Sequence, residues 1–295
     1  MRNYYFILCM LFSLMAKAQK VPDIQTASFP APVNIRIDGK AGEWGDTFAA
    51  DNKRTSLQYT MANDDKNLYL VVKAAGTANI NKVMLGGITF TVNTEGKKKD
   101  KDAMSVTYPL IKRAPRGQGA GRQGGEQISG MSRAGGNFGG GNFGGQNRTP
   151  LTTAQRDSAS LAQHKTQLAT VKEIKVTGFK AISDSLISIY NEYGVKTVAS
   201  FDNSGAMIYE LAIPLNLLDL SSDKNKEFAY QIKVNGMVFS GFGGGGFGGN
   251  RGGGEGMVVV GGGPGGGRFG GGGGNNMQDM MSPTDFWGKY TLIKP

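Results

Sequence analysis

The chain has 295 residues, one cysteine, one histidine and a formal net charge of +10. Such a scarcity of thiols and imidazoles excludes a disulfide framework and a Cys/His zinc cluster. The basic excess is spread along the sequence rather than gathered on one helix, so it implies easy association with acidic surfaces, such as anionic polysaccharide or lipid headgroups, and no particular partner.

Residues 1–18 read as a signal peptide. Arg2 supplies a positive start, Tyr4 to Met15 form a short apolar run broken by Ser13, and Ala16-Lys17-Ala18 places small residues where a signal peptidase reads. The run is too short for a stable membrane span. Cleavage near Ala18-Gln19 would remove Cys9 and deliver a thiol-free chain to the periplasm, the cell envelope or the medium.

Strand signals begin with Ile35 and Ile37, which predict a short strand ended by the turn pair Asp38-Gly39. Leu57, Tyr59 and Met61, then Leu68, Leu70 and Val72, alternate with outward-facing neighbours on either side of Asn63-Asp64-Asp65-Lys66-Asn67. Period-two alternation around a cluster of turn formers predicts a β-hairpin with one buried face. Ile88, Phe90 and Val92 alternate with Thr89, Thr91 and Asn93, predicting a half-buried strand. Met104, Val106, Tyr108 and Leu110 give its partner after the charged tip Lys97–Asp102, which reads as solvated.

Of the 47 glycines, 13 lie between Arg113 and Pro150 and 22 between Gly241 and Gly274. Glycine loses the most backbone entropy on ordering and offers no apolar area in return, so inserts 113–150 and 241–274 are expected to be disordered loops. The rest of 19–295, roughly 200 residues, is long enough for a single self-sufficient domain. Between the inserts, 152–171 predicts a surface helix capped by Thr152 or Thr153, with Leu161, Leu168 and Val171 as a thin apolar stripe and His164 exposed. Further strands are predicted at 173–179, 186–192, 196–202, 206–213, 228–238 and 286–293, with a hairpin turn at Asn203-Ser204-Gly205 and a short helical turn at 214–218. The penultimate and last strands should pair across the second insert. The sum is an all-β chain: a two-sheet antiparallel sandwich of about ten strands with one inserted helix.

The run Ile37-Asp38-Gly39-Lys40-Ala41-Gly42-Glu43-Trp44, then Ala62-Asn63-Asp64 and Asn67-Leu68-Tyr69-Leu70, resembles the family 9 carbohydrate-binding-module superfamily and the related DOMON-like domains. The closing Phe286-Trp287-Gly288-Lys289-Tyr290 is similar to the last strand of such domains. The likeness extends over 34–112 and, more loosely, 173–293. It implies an exported β-sandwich that binds sugars or, in some branches, haem. The best-understood members clamp a sugar ring between two tryptophans, and the chain departs from that pattern in having only Trp44 and Trp287.

An indole face stacks on the C–H face of a pyranose. Trp287 is expected to point outward if Phe286, Tyr290 and Leu292 point inward, which makes it the better platform; Trp44 is expected to plug the end of the core. Asp38, Glu43, Asp64 and Asp65 are oxygen ligands of the type calcium takes, though without an EF-hand spacing, and Asp64 and Asp65 also suit a turn. One histidine in a polar helix assembles no catalytic centre; a haem would need His164 with one of the methionines as its axial pair, and Met277, Met280 and Met281 together are of the type that captures a soft metal. The arginines and phenylalanines of the inserts form a pattern that can bind single-stranded nucleic acid, but an exported chain meets little of it. The sequence therefore predicts a non-catalytic binding module for a glycan or cell-envelope polysaccharide, using Trp287 and Trp44, without cofactor, nucleic acid or stable membrane span. An envelope scaffold presenting two glycine-rich loops is the alternative. Nothing in the sequence sets an oligomeric state.

Overall fold

The computed structural model describes residues 21–45, 47–111, 152–224, 226–236 and 279–294. The signal-peptide segment, both glycine-rich stretches and Met277 lie outside them. The first sheet is built from β1 (Ala50–Asn52), β2 (Leu57–Asn63), β3 (Asn67–Ala74), β8 (Lys196–Phe201) and β9 (Met207–Pro214), in the order β1-β2-β3-β9-β8. The second holds β4 (Ile88–Asn93), β5 (Met104–Tyr108), β6 (Glu173–Thr177), β7 (Leu186–Ser188), β10 (Glu227–Val234) and β11 (Thr284–Thr291), in the order β11-β10-β4-β5-β6-β7. All their ladders are antiparallel. The molecule is a two-sheet β-sandwich.

The alternation explains the layering. Leu57, Tyr59 and Met61 face inward opposite Ala74, Val72 and Leu70, and Phe228, Tyr230, Ile232 and Val234 do the same for the second sheet. Both sets belong to one buried cluster. Across the interior the hydroxyls of Tyr59 and Tyr230 lie 2.8 Å apart, and the backbone N–H of Gln25 donates to Tyr59 at 2.9 Å. Two phenols thus share a hydrogen bond in a space from which water is excluded, as a buried polar pair must.

Asp64 closes the β2–β3 hairpin: its Oδ1 accepts the N–H groups of Lys66 and Asn67 at 2.8 and 2.6 Å. Asp202 does the same at the β8–β9 turn, accepting from the N–H groups of Ser204 and Ala206. These are the local Asx contacts that make such residues turn formers.

A strap from Pro22 to Ala31 runs along the side of the sandwich. β1 covers only the first part of β2, so Met61 and Asn63 would otherwise present an open strand edge. The carboxamide of Gln25 pairs with Met61 in both directions, N–H to Oε1 at 2.7 Å and Nε2 to carbonyl at 2.9 Å. Asn63 donates to the carbonyl of Phe29 and accepts from Ala31 N–H. Ser28 Oγ donates to the carbonyl of Thr291 on the other sheet at 2.6 Å.

Three expectations are corrected. Ile35 and Ile37 form no strand: both are half-buried in a loop whose next two residues, Asp38 and Gly39, give their N–H groups to a side chain, that of Glu210, rather than to a ladder. The eleventh strand is instead β1. A helix not foreseen from the sequence, α1 (Thr77–Gly86), carries the chain from one sheet to the other and buries Ile80, Val83 and Met84. Finally, Thr91 and Asn93 of β4 are buried, so that strand is more than half enclosed.

The predicted surface helix is α2 (Thr153–Ala169). Thr152 Oγ1 accepts from Gln155 N–H and Gln155 Oε1 accepts from Thr152 N–H, a reciprocal capping box. Leu168 and the following Val171 anchor its far end in the core. Thr152→Ala should cost the first turn about 1 kcal/mol. Faster amide exchange confined to the residues after Thr153, with the unfolding midpoint little changed, is the expected readout.

Candidate functional site

The Ile37–Trp44 segment lies on the outer face of the five-stranded sheet, over the middle of β9. Alternation puts Met207, Tyr209 and Leu211 inward and therefore Glu210 outward, yet Glu210 is fully buried. The loop covers it. Glu210 Oε2 accepts the N–H groups of Asp38 and Gly39 at 3.0 and 2.7 Å, and Oε1 accepts Trp44 Nε1–H at 2.9 Å. Burial pushes the Glu210 pKa up, and the bonds from Trp44, Gly39 and Asp38 partly oppose that rise.

Gly39 is required at its position. Its φ is +81°, and a Cβ there would stand 2.8 Å from Ser200 Oγ. Ser200 Oγ donates to the Gly39 carbonyl, so the loop is held from β8 as well. The indole of Trp44 meets the ring of Tyr69 edge-on at 6.5 Å. Tyr69 in turn donates to Asp64 Oδ2 at 2.8 Å, and its pKa is pushed up to about 12 by burial first and by the Asp64 carboxylate second. Asp38, Gly39 and Trp44 of the motif are thus parts of one structural latch. Trp44 does not plug the end of the core, as the sequence suggested; it is half-buried outside the sheet, with its N–H taken by Glu210.

The carboxylates weighed for calcium are dispersed among these tasks. Asp64 serves the turn and Tyr69, Asp65 is exposed, and Asp38 Oδ1 accepts from Lys40 N–H at 3.0 Å. Among the described residues no three or more His, Cys, Asp or Glu side chains gather where they could hold a metal ion.

His164 departs from its expected exposure. It is half-buried, with its imidazole stacked on Phe201 at 6.1 Å and 14° between planes, beside a cleft of about 350 Å³ between α2 and the β8–β9 turn. Burial holds its pKa below the ordinary imidazole value. The apolar end of β8 supplies a flat surface that a helical wheel of α2 alone does not reveal.

Trp287 lies where inward-facing Phe286, Tyr290 and Leu292 require: on the outward face of edge strand β11, half-buried, opposite Gln231. Beside it is a groove of about 310 Å³ between β11 and the strap, lined by Thr26, Ser28, Lys98, Glu227 and Lys289 among others. Lys289 Nζ and Glu227 Oε1 pair across the ladder at 2.6 Å, both about half exposed. The arrangement combines one indole face with hydroxyls, backbone amides and charged tips on a wet rim. It offers stacking and hydrogen bonding, and it lacks a paired nucleophile and base. The structure does not bring Trp44 and Trp287 together as a clamp: one packs on the outside of the first sheet, the other on the outside of the second.

Two residues with site chemistry escaped the sequence reading, Glu210 and Gln231. Each is a polar residue at an outward position: Glu210 lies between two apolar neighbours on that face, Ile208 and Ala212, whereas Gln231 lies between Ala229 and the charged Lys233. For Glu210 that setting was a usable sign that the outer face is covered. Compared with known proteins, the chain matches no family model, no curated protein and no solved structure.

Proposed function

We propose that the protein is an exported, non-catalytic carbohydrate-binding module of the family 9 or DOMON-like type, with Trp287 as its stacking platform. The observation that carries the reading is the placement of Trp287 on an outward edge-strand position beside a polar groove. Sugar recognition needs an aromatic face next to hydrogen-bonding groups that remain wet in the free protein. Trp44 contributes less to such a role, because its indole N–H is already bonded to Glu210.

A glycan array and retention on insoluble polysaccharides test it. Trp287→Ala should reduce binding at least about tenfold, the loss of one well-placed stacking residue, and Trp287→Phe should retain part of it. Retention indifferent to Trp287→Ala would remove the platform from the account. A specific observation favours the envelope-scaffold reading: Tyr59, Phe90, Phe228, Tyr230 and Phe286 are all buried, so the aromatic content serves the core first. Absence of retention on every glycan would select that reading.

A further inference from the structure

Resting on the carbohydrate reading above, the geometry points to a longer ligand than the groove alone would hold. The ladders of the second sheet align Trp287, Gln231, Thr91, Ser105 and Thr177 in one row across β11, β10, β4, β5 and β6. All five point outward, since the neighbouring row, Phe286, Ile232, Phe90, Val106 and Val176, is the buried one. After the indole the row is an amide and then three hydroxyls, of which Thr91 is only 4 % exposed, Ser105 is half-buried and Thr177 is exposed. On the next outward row Thr89 and Thr107 already bond each other at 2.8 Å, with Asn235 Nδ2 donating to Thr89.

Gln231 marks the row as more than solvated surface. It is only 4 % exposed; its Nε2 donates to Asp285 Oδ2 at 2.7 Å, while Oε1 is buried without a partner among the described residues. A buried carbonyl without a donor is uncommon in folded proteins and points to a donor supplied from elsewhere. A sugar hydroxyl is such a donor, and the indole that would hold its ring stands directly across the ladder. Because both Gln231 and Thr91 are covered in the free chain, loading this part of the row requires side chains to move. Trp287, half-exposed, is placed to do so.

We propose that an extended, β-linked polysaccharide crosses this face at right angles to the strands, from Trp287 through Gln231 to Thr177. Successive positions along the row are separated by the strand spacing, about 4.8 Å, close to the repeat of one pyranose in an extended chain. Sheet twist turns the row by about 20° per strand, so it follows a single soluble chain, which can twist, and not a flat crystalline surface.

The test uses the mature protein against β-1,4-linked glucan, xylan and chitin oligosaccharides, each as a series from disaccharide to hexasaccharide. Affinity should rise with length until the row is filled. Trp287→Ala should weaken every length, and Gln231→Leu should do the same by about tenfold, since a disaccharide seated on the indole already reaches its neighbour across the ladder. Thr177→Val, at the exposed far end where folding is not at risk, should affect only the longest chains. Indole emission should change on binding, reporting the moved side chain. Affinity independent of length, or a neutral Gln231→Leu together with a neutral Thr177→Val, overturns the chain path; if Trp287→Ala still abolishes binding, the groove reading survives alone. No binding by any series removes both.

Discussion

Replacing Glu210 with alanine is expected to cost about 3 kcal/mol of unfolding free energy, the order of leaving buried donors without an acceptor. The backbone N–H groups of Asp38 and Gly39 and the indole N–H of Trp44 all converge on this one carboxylate. Chemical denaturation gives the loss. Trp44 emission, read in a Trp287→Phe background, should shift toward the solvated indole because the loop that carries it is released. An unchanged midpoint and spectrum would mean that the strap and Ser200 hold the loop without Glu210.

The same residue sets a pH dependence. Burial raises its pKa in the folded chain, so folding favours the protonated carboxyl. The stabilisation tied to that shift is complete below the unfolded carboxylate value of about 4.3 and is lost as pH rises through the folded value. Across that window the native chain should lose more stability than Glu210→Gln, which cannot ionise. The reverse slope would show that the three donors outweigh desolvation.

Gly288→Ala should be the most damaging single-methyl change in the described residues of β11. Gly288 faces inward opposite Tyr230, and an added Cβ would stand far inside van der Waals contact with Cζ of the phenol ring. Tyr230 has no room to yield, since it packs against Tyr59, Phe90 and Phe286 and its hydroxyl meets that of Tyr59. Overpacking of this kind costs about 3 kcal/mol. A combined Gly288→Ala, Tyr230→Leu chain should lose less than the sum of the two single losses, because each change relieves the other. Additive losses would place the damage in the backbone and not in the ring contact.

Much of the sandwich was legible because it depends on short-range alternation. Leu57, Tyr59 and Met61 fix one face of β2 whatever lies opposite, and the turn chemistry of Asp64 needs only three neighbours. The outward position of Trp287 followed from Phe286 and Tyr290 by the same parity. The latch was not legible. Its acceptor is 171 residues from Gly39, and no local pattern in Ile35 to Trp44 distinguishes a loop clasped by a distant carboxylate from a short strand. Helix α1 was overlooked although Ile80, Val83 and Met84 have helical spacing, since one apolar triplet before two glycines is a weak signal beside so many strands. His164 looked exposed because the ring that shelters it, Phe201, belongs to another element.

The strap has a consequence for the order of events during synthesis. Ser28 is bonded to Thr291, 263 positions later, and the hydroxyl of Tyr290 reaches back to the carbonyl of Phe29. The strap therefore waits through 263 further positions of synthesis before its partner on the last strand exists. Contacts so distant along the chain are slow to form, and until they do, the strap is tied only to the first sheet, through the bonds of Gln25, Phe29 and Ala31 to Met61 and Asn63.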